Sequence, residues 1–338
     1  MKKNFLFLGV AAGAVILGLA CYGYLLGKGS QKTIPDFVLT YAENQSEDYP
    51  TTRGAYKFRN LVYDRTGGKV EILISANGIL GDEKAVIEQL QFGAVDFARV
   101  SLSPLAEVVP KLNVLQMPYL YVSREHMWKV LDGPLGEDFM ESLDSAALLP
   151  LSWYDAGARS FYNSLGPVRQ PEDLKGMKIR VQESELSMDM VEAMGAVPVP
   201  MAYGNVYSGL QTGKINGAEN NWPSYKSTRH YEVAKYFTRD EHTRVPELQM
   251  ISKSTWEKLP EEYRFVIRQC ARESALYERE LWENQEKLAE ERVRKAGCQV
   301  TELSPEKRAR FQEAAAPLYE KYCADYMDII DEIEKEGR

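Results

Sequence analysis

Two arginines stand where a buried positive charge would need a partner. Arg159, in GARSFYNS, follows the apolar strand-like segment LSWYD, and Arg180, in MKIRVQES, lies inside the next such segment. A guanidinium group is costly to bury alone, and its planar fork fits a carboxylate through two parallel hydrogen bonds. The partner of each arginine is therefore either an acidic residue of the chain or the carboxylate of a bound ligand, and position alone leaves both alternatives open.

A second polar cluster, GAENNWPSY, spans Gly217 to Tyr225 and places two neighbouring amides before a tryptophan and a proline. Asn221 and Pro223 could serve a turn through backbone geometry alone. The amides of Asn220 and Asn221 could instead act as paired donors and acceptors in a recognition site. These nine residues do not decide between a turn and a site.

Catalysis and metal binding have no candidate residues in this sequence. The three histidines, His126, His230 and His242, show no HExxH or His-x-His spacing, and their charged neighbours predict solvated side chains. No GxSxG elbow and no Gly-rich phosphate loop occur, and the four cysteines lack the paired short spacings of a zinc site. We therefore expect a protein that is not an enzyme and that uses no cofactor and no metal.

Composition and charge narrow the class of partner. The chain has 338 residues, 44% of them apolar, which favours a water-soluble globular protein of two domains. Its net charge is -8, and no cluster of lysines and arginines offers a footprint for nucleic acid or for an anionic membrane surface. We expect a small-molecule partner, no nucleic acid, and a monomer, because nothing indicates an extended apolar interface.

The N-terminus has the pattern of an export signal. Lys2 and Lys3 precede an almost uncharged run from Phe5 to Leu26, which predicts a protein that works outside the cytoplasm. The run is long enough to be retained as a membrane anchor. LGLAC, ending at Cys21, resembles a bacterial lipoprotein cleavage site except at Gly18, so lipidation is an equal alternative. Ordinary cleavage is less favoured, because no Ala-x-Ala site is present.

The remaining cysteines, Cys270, Cys298 and Cys323, are odd in number, so at most one internal disulfide could form. We expect buried free thiols on helices.

Strands and helices alternate twice along the chain. Strand-like FVLTYAEN, VEILISANG and residues 95–100 are separated by helical stretches at 50–64 and 83–91, and the pattern restarts with strands at 149–154, 177–181, 197–201 and 217–220. This predicts two α/β blocks with parallel sheets. Ligands of such sheets lie beyond the carboxyl ends of the strands, where Glu43, Asn44, Asn77, Glu83 and Ser101 fall.

A helical pattern from Pro260 to Ala296 is longer than one domain is wide, at over 50 Å for 1.5 Å per residue. It predicts a helix that crosses both lobes, and interrupting charges such as Arg268 and Arg272 disfavour the alternative of a coiled coil. Two further helices are expected after Ser304, with Pro317 between them.

Four segments carry a resemblance to a known family. DLKGMKIRV, GAVPVPMAYGNVYSGLQTGKINGAEN, LGDEKAVIEQL and KLPEEYRFVIRQCA resemble the solute-binding proteins of tripartite ATP-independent periplasmic (TRAP) transporters, the DctP family, over residues 35 to 325. The resemblance implies a two-lobed fold like that of periplasmic binding proteins, each lobe a mixed or parallel sheet flanked by helices, with a long helix spanning both. The implied division is 1–32 for the signal, 33–155 plus 246–285 for lobe I, and 156–245 plus 286–338 for lobe II.

The resemblance also implies roles for individual residues. Arg180 matches the arginine that bridges the ligand carboxylate, Arg159 a second arginine that supports it, and Asn220 the amide that orients it. Tyr203 matches an aromatic position of the pocket. The other implied ligand-binding residues are Glu43, Glu83, Ser101, Asn163, Glu183 and Asn221.

GAENNWPSY looks most like members that bind hexuronates or related sugar acids. Such a ligand offers one carboxylate to the arginines and several hydroxyls to the acidic and amide side chains. Ser101 and Glu43 depart from sialic-acid-binding relatives, so that substrate is not implied. We expect a TRAP receptor that delivers an organic acid to the membrane subunits. A secreted uronate lyase or hydrolase and a ligand receptor for a sensor protein are the alternatives.

Overall fold

The structure of the chain is a computed structural model that describes residues 34–337. The predicted export segment and Cys21 lie outside the described residues. Within 34–337, no helix is both long enough and apolar enough to cross a membrane.

A five-stranded mixed sheet forms the first half of the fold. In order across the sheet its strands are β2 (Val70–Ser75), β1 (Phe37–Ala42), β3 (Phe97–Ser101), β10 (Glu247–Ser252) and β4 (Leu148–Tyr154). β1 pairs in parallel with β2 and β3, as the alternation predicted, whereas β10 runs antiparallel to β3 and β4. The alternation had placed β4 in the second block, but it forms the edge of the first sheet.

The second sheet has six strands, of which three (β6, β7 and β8) were predicted from sequence. Their order is β11 (Gln299–Glu302), β9 (Tyr236–Arg244), β5 (Ala158–Asn163), β8 (Gly217–Asn220), β6 (Lys178–Val181) and β7 (Val197–Pro200). β5 pairs antiparallel with β8 and β9, while β6 pairs in parallel with β7 and β8. Arg159 in β5 and Arg180 in β6 therefore flank β8, which ends at Asn220.

Thirteen α-helices flank these sheets within the described chain. They are α1 (Pro50–Arg65), α2 (Glu83–Phe92), α3 (Leu102–Ala106), α4 (Arg124–Leu131), α5 (Pro134–Glu141), α6 (Glu185–Ala193), α7 (Val206–Gln211), α8 (Trp222–Ser227), α9 (Lys253–Lys258), α10 (Glu261–Lys295), α11 (Pro305–Ala315), α12 (Pro317–Cys323) and α13 (Met327–Glu336). Short 3-10 turns cover Pro110–Gln116, Ser142–Ala146, Pro171–Leu174, Tyr203–Asn205, His230–Glu232 and Ala324–Tyr326.

Side-chain caps fix several helix starts. Asp82 accepts a hydrogen bond from the Ala85 N–H at 2.9 Å, and Ser304 accepts one from Lys307 at 3.4 Å. Pro260 stands at the N-cap of α10 rather than in its first turn. The helix expected from Tyr319 to Lys335 is divided, because the 3-10 turn at 324–326 separates α12 from α13.

The 35-residue helix α10 spans both halves of the fold, as predicted. It packs on α1 and β4 beside the first sheet and on α8 beside the second. Its buried face includes Ala271 near one end, Trp282 in the middle and Val293 near the other end. A single rigid element therefore contacts both sheets.

Two short segments connect the sheets near the middle of α10. Residues 155–157 join β4 to β5, and residues 245–246 join β9 to β10. Asp155 is fully buried there, where its carboxylate pairs with Arg124 at 2.6 Å and accepts the Gly157 N–H at 2.8 Å. The expected lobe boundaries stay a prediction. The C-terminal helix α13 was expected in lobe II, but it packs on α4, a helix that was expected in lobe I.

The apolar core of residues 34–337 divides into four clusters, and Cys270, Cys298 and Cys323 lie in three different ones as free, buried thiols, as expected. Cys270 lies on α10 and Cys323 ends α12, whereas Cys298 follows α10 in the turn before β11.

Candidate functional site

A polar cavity of about 220 Å³ lies between the two sheets. The side facing the first sheet contains Asn44, Glu83, Arg99 and Glu247, and the side facing the second sheet contains Arg159, Arg180, Tyr203, Asn220 and Asn221. Residues at or just after the carboxyl ends of β1, β6 and β8 meet residues at the starts of β5 and β10 here. A ligand site beyond the carboxyl ends of parallel strands is expected to have this arrangement.

Arg180 is a buried charge in the cavity wall that forms no ion pair with residues 34–337. Its side chain is buried, with 4% exposure for the residue, and its Nε donates to the Met201 carbonyl at 2.8 Å. No carboxylate of residues 34–337 lies within ion-pair distance, and neither Nη atom has a hydrogen-bond partner among those residues. Burial lowers the pKa of Arg180; Glu219 opposes this shift and Arg159 reinforces it. The four Nη hydrogens are therefore available to a ligand.

Arg159 differs from Arg180 because it has an internal partner. Its Nε and Nη2 donate to the two carboxylate oxygens of Glu219 at 2.5 and 2.7 Å, a bidentate pair. Nη2 also donates to the Glu219 carbonyl at 3.0 Å, and Nη1 donates to Oδ1 of Asn220 at 3.2 Å. The sequence left two possible partners for each arginine, an acidic residue of the chain or a ligand carboxylate. Arg159 pairs with an acidic residue of the chain, Glu219, and Arg180 does not.

Asn220 presents its amide nitrogen to the cavity. Its Oδ1 accepts hydrogen bonds from Arg159 and from the Asn221 N–H, the latter at 2.9 Å. Its Nδ2 has no hydrogen-bond partner in the described part of the chain. Arg159 therefore fixes the orientation of the amide and leaves the N–H donors of Asn220 free.

A buried chain of charges supports Arg159 from behind. Nε2 of His242 lies 3.4 Å from Glu219, and Nδ1 of His242 lies 2.7 Å from Asp240. Burial alone would lower the pKa of His242, but Asp240 and Glu219 raise it to about 9. Burial alone would raise the pKa of Glu219, but Arg159 and His242 lower it to about 2. The carboxylate that holds Arg159 is therefore ionised at neutral pH.

The prediction that the histidines are solvated is wrong. His126, His230 and His242 are all buried. Nε2 of His126 lies 2.7 Å from the Ile333 carbonyl, and Nδ1 of His230 lies 2.7 Å from the Tyr162 hydroxyl. The charged sequence neighbours misled the prediction, because alternate residues of β9 point to opposite faces and Asp240 is buried together with His242.

The wall on the first sheet is built around Arg99, which the sequence analysis did not single out. Its Nε donates to Glu43 at 3.2 Å, and its Nη1 lies 3.0 Å from Glu83 and 3.2 Å from Glu247. Its Nη2 donates to Glu43 and to Oδ1 of Asn44. Four of the five N–H donors of Arg99 are used in hydrogen bonds to Glu43, Glu83 and Asn44, and the Nη1 that carries the fifth forms an ion pair with Glu247.

Glu247 is a second residue of this wall that sequence analysis missed. It is 8% exposed, and its Oε2 is buried with no hydrogen-bond partner among residues 34–337. Burial raises the pKa of Glu247 to about 8, Arg99 opposes the shift, and Glu83 and Glu43 reinforce it. The signal that drew attention to Arg180, a charge inside an apolar strand, is also present for Arg99 in FARVS.

Seven of the ten ligand-binding residues expected from sequence line the cavity. They are Arg180, Arg159, Asn220, Asn221, Tyr203, Glu83 and the exposed Glu183. The three others do not line it, each for a different structural reason.

Glu43 is buried behind Arg99, where it also accepts hydrogen bonds from the Gln45 N–H at 3.0 Å and the Thr51 hydroxyl at 3.1 Å. Ser101 is buried at the end of β3 and accepts a hydrogen bond from Gln182 at 2.9 Å, which connects the two sides of the cavity. Both support the wall and do not form its surface.

Asn163 lies at the other end of β5 from Arg159 and pairs with Gly217, whereas Ser160 pairs with Asn220. Its Oδ1 accepts the N–H groups of Leu165 and Gly166 at 2.8 and 2.9 Å. The side chain therefore caps the turn that follows the strand and lies away from the cavity.

GAENNWPSY forms the end of a strand and the start of a helix. Oδ1 of Asn221 accepts the Ser224 N–H at 2.7 Å and caps α8. The Tyr49 hydroxyl lies 3.3 Å from the same Oδ1 and 2.7 Å from the Ser224 hydroxyl, which links α8 to the start of α1. The Trp222 ring stacks on Phe237 in the core of the second sheet, with ring centroids 3.6 Å apart. Trp222 is thus a core residue.

These features together define a class of protein. Two α/β halves joined by crossing segments and one long helix enclose a polar cavity, and that cavity holds a buried arginine whose Nη atoms have no partner among residues 34–337. This is the arrangement of a two-lobed solute-binding protein for an anionic ligand.

Comparison with known proteins agrees with this class. Residues 41–325 match the model of the DctP family, bacterial extracellular solute-binding protein family 7. A solute-binding protein of Chromohalobacter salexigens is 38% identical over 281 residues, which is 83% of each chain. A TRAP periplasmic solute-binding protein of Xanthobacter autotrophicus, solved with bound β-D-galacturonate, superposes with a TM-score of 0.85 at 40% identity and covers 88% of this chain and 99% of its own.

A further TRAP periplasmic solute-binding protein, from Roseobacter denitrificans with bound β-D-glucuronate, has a TM-score of 0.85 at 38% identity, with 89% of this chain and 99% of its own covered. The chain belongs to the DctP family of TRAP solute-binding proteins. It is a solute receptor and not an enzyme, and its family acts outside the cytoplasm.

Proposed function

We propose that this receptor binds a hexuronate such as glucuronate or galacturonate and delivers it to the membrane subunits of a TRAP transporter. The observation that carries the proposal is Arg180, whose four Nη hydrogens have no partner among residues 34–337. A planar carboxylate would accept two of them in parallel. The relatives solved with glucuronate and galacturonate support the choice of acid.

The ligand carboxylate would lie against the second sheet. Arg180 would provide the bidentate pair, Arg159 its one remaining Nη1 hydrogen, and Asn220 its Nδ2 donors. Tyr203 would line the same end of the cavity. The negative charge of the ligand would then compensate the buried guanidinium group, which has no counter-ion of its own in this part of the protein.

The sugar hydroxyls would lie against the first sheet. Glu83, Glu247 and Asn44 line that side, and a hydroxyl group can both donate to a carboxylate and accept from a neutral donor. Glu183 would contact the ligand from the rim. A sugar acid matches both walls, since one end needs a carboxylate and the other needs hydroxyls.

The cellular setting follows from the family and the N-terminal sequence. We propose that the receptor acts as a monomer, and that its N-terminal segment holds it at the outer face of the cell membrane as a retained anchor or through a lipid on Cys21. Lobe closure over the ligand would be a hinge motion at residues 155–157 and 245–246.

A thermal-shift screen of acids and neutral sugars tests the proposal. Glucuronate and galacturonate should raise the melting temperature, because a ligand at 100 times its Kd adds about 2.7 kcal/mol to the free energy of unfolding. Succinate, N-acetylneuraminate, glucose and galactose serve as comparisons. A shift with neutral sugars and none with the hexuronates would overturn the proposal, and analysis of the recovered ligand should show no turnover.

A further inference from the structure

Glu247 occupies an unusual position in the cavity wall. It is the first residue of β10, directly after the segment that crosses between the sheets, and it pairs in register with Ser101 and Tyr154. Its Oε1 lies 3.2 Å from Nη1 of Arg99. Its Oε2 is buried and has no hydrogen-bond partner within residues 34–337. A buried polar atom without a partner destabilises the fold, so this oxygen is a natural contact for a ligand in the cavity.

The charges around Glu247 come from four neighbouring elements. Arg99 on β3 and Arg159 on β5 are the cations, and Glu83 on α2 and Glu43 at the end of β1 are the anions. Tyr49 and Glu278 also lie close enough to interact electrostatically with Glu247. Three carboxylates thus share Arg99, which donates hydrogen bonds to Glu43 and Glu83 and forms an ion pair with Glu247.

Burial first, and the neighbouring negative charges second, determine the protonation state of Glu247. Two like charges in a buried site disfavour ionisation, and burial adds to the effect. Burial raises the pKa of Glu247 to about 8, although Arg99 opposes the shift. At neutral pH the side chain therefore carries a proton and can donate a hydrogen bond.

We propose that Glu247 recognises a ligand hydroxyl as a neutral carboxyl group that donates a hydrogen bond to the hydroxyl oxygen. This inference rests on the proposed binding of a sugar acid. It adds a residue that selects hydroxyl groups, and it couples ligand affinity to pH. When Glu247 loses its proton to solvent, the donor disappears and a third negative charge faces the hydroxyl end of the ligand, so binding weakens.

Calorimetric titration with galacturonate across a pH series tests this role. Wild-type affinity should fall roughly tenfold between pH 6.5 and 9, because the fraction of receptor with a neutral Glu247 falls by that factor. Glu247→Gln keeps a neutral donor of the same shape. Its affinity at pH 7 should stay within about threefold of wild type, with most of the pH dependence lost.

A matched control distinguishes Glu247 from other acids of the cavity. Glu183→Gln removes a carboxyl group from the exposed rim of the same cavity and should retain the wild-type pH dependence. A flat wild-type profile with tight binding, or an unchanged slope in Glu247→Gln, would overturn the role of Glu247. Failure of the wild type to bind any hexuronate at any pH would contradict the proposed function instead.

Discussion

Arg99 and Arg180 are both buried arginines in the wall of one cavity, yet they are held in opposite ways. Arg99 donates four hydrogen bonds to Glu43, Glu83 and Asn44 and forms an ion pair with Glu247, whereas Arg180 donates one hydrogen bond, to a main-chain carbonyl. The pKa of Arg99 is raised well above its ordinary value, where Glu247, Glu43 and Glu83 outweigh burial, and the pKa of Arg180 is lowered by burial. Arg99 belongs to the folded structure, and Arg180 is available to a ligand.

The largest expected effect comes from removing the free guanidinium fork. Arg180→Lys keeps the positive charge but loses the two parallel hydrogen bonds, so hexuronate affinity should fall at least about 100-fold. Titration calorimetry measures the loss. Affinity within threefold of wild type would show that the carboxylate binds elsewhere.

The next largest effect concerns stability without ligand. Arg99→Met would leave Glu43, Glu83 and Glu247 facing one another, so the free energy of unfolding should fall by about 3–5 kcal/mol. Arg180→Met is the matched control, and it should change that free energy by no more than about 1 kcal/mol or increase it, because only the Met201 carbonyl loses a hydrogen bond and no charged partner is left unpaired. Urea denaturation at pH 7 distinguishes the two. Equal losses in both variants would remove the contrast between the arginines.

The two walls should also discriminate between ligands with one and two carboxylates. Galactonate and galactarate differ only in whether the far end is a hydroxyl or a carboxylate. A second carboxylate would face the Glu83 carboxyl group, and Arg99 already uses four of its five donors within the fold, so galactarate should bind about 30-fold more weakly than galactonate. Equal affinities at pH 7 would contradict the assignment of the first wall to hydroxyls.

A smaller effect is expected from the charge chain behind Arg159. The pKa of His242 is raised to about 9, so its contribution to stability is fully present below its unfolded pKa near 6.5 and is lost as the pH rises through 9. Unfolding free energy should therefore fall by on the order of 2 kcal/mol from pH 6.5 to 9.5. Above pH 8 the fall in unfolding free energy comes mainly from His242, because Glu247 has by then lost most of its proton. The fall between pH 8 and 9.5 should therefore disappear in His242→Gln and remain in Glu247→Gln.

The smallest expected effect is at Asn163. Its side chain caps a turn away from the cavity, so Asn163→Ser should leave hexuronate affinity within about twofold of wild type. Asn220→Ser, the comparison on the neighbouring strand, should weaken binding by about tenfold. A comparable loss in both variants would place Asn163 in contact with the ligand.

The sequence predicted those elements that show apolar periodicity over a short segment or that carry a motif of the family. Apolar periodicity indicated β1, β2, β3 and α10, and motif resemblance indicated Arg180 and its neighbours. Apolar periodicity did not reveal that β10 returns to the first sheet, because strand pairing between residues more than a hundred positions apart leaves no local pattern. Only the family resemblance, which implied residues 246–285 for lobe I, pointed to this return.

The same limit applies to the site. Glu43 was expected at the ligand, but its carboxylate faces Arg99, and that pairing depends on how β1 and β3 lie side by side. The burial of His242 likewise depends on the face of β9 that meets the sheet. Charge partners and burial are three-dimensional properties, so residue type and spacing alone do not fix them.

The hydrogen bonds of Tyr49 with Asn221 and Ser224 also have a kinetic consequence. They lie at the junction between the start of α1 and the start of α8, and Asn221 contributes at once to the helix cap and to the cavity wall. Separation of the two sides breaks these contacts together with the bond between Gln182 and Ser101. Under the proposed hinge motion, Tyr49 would therefore be one of the residues that govern how long a bound ligand stays, although it does not line the cavity.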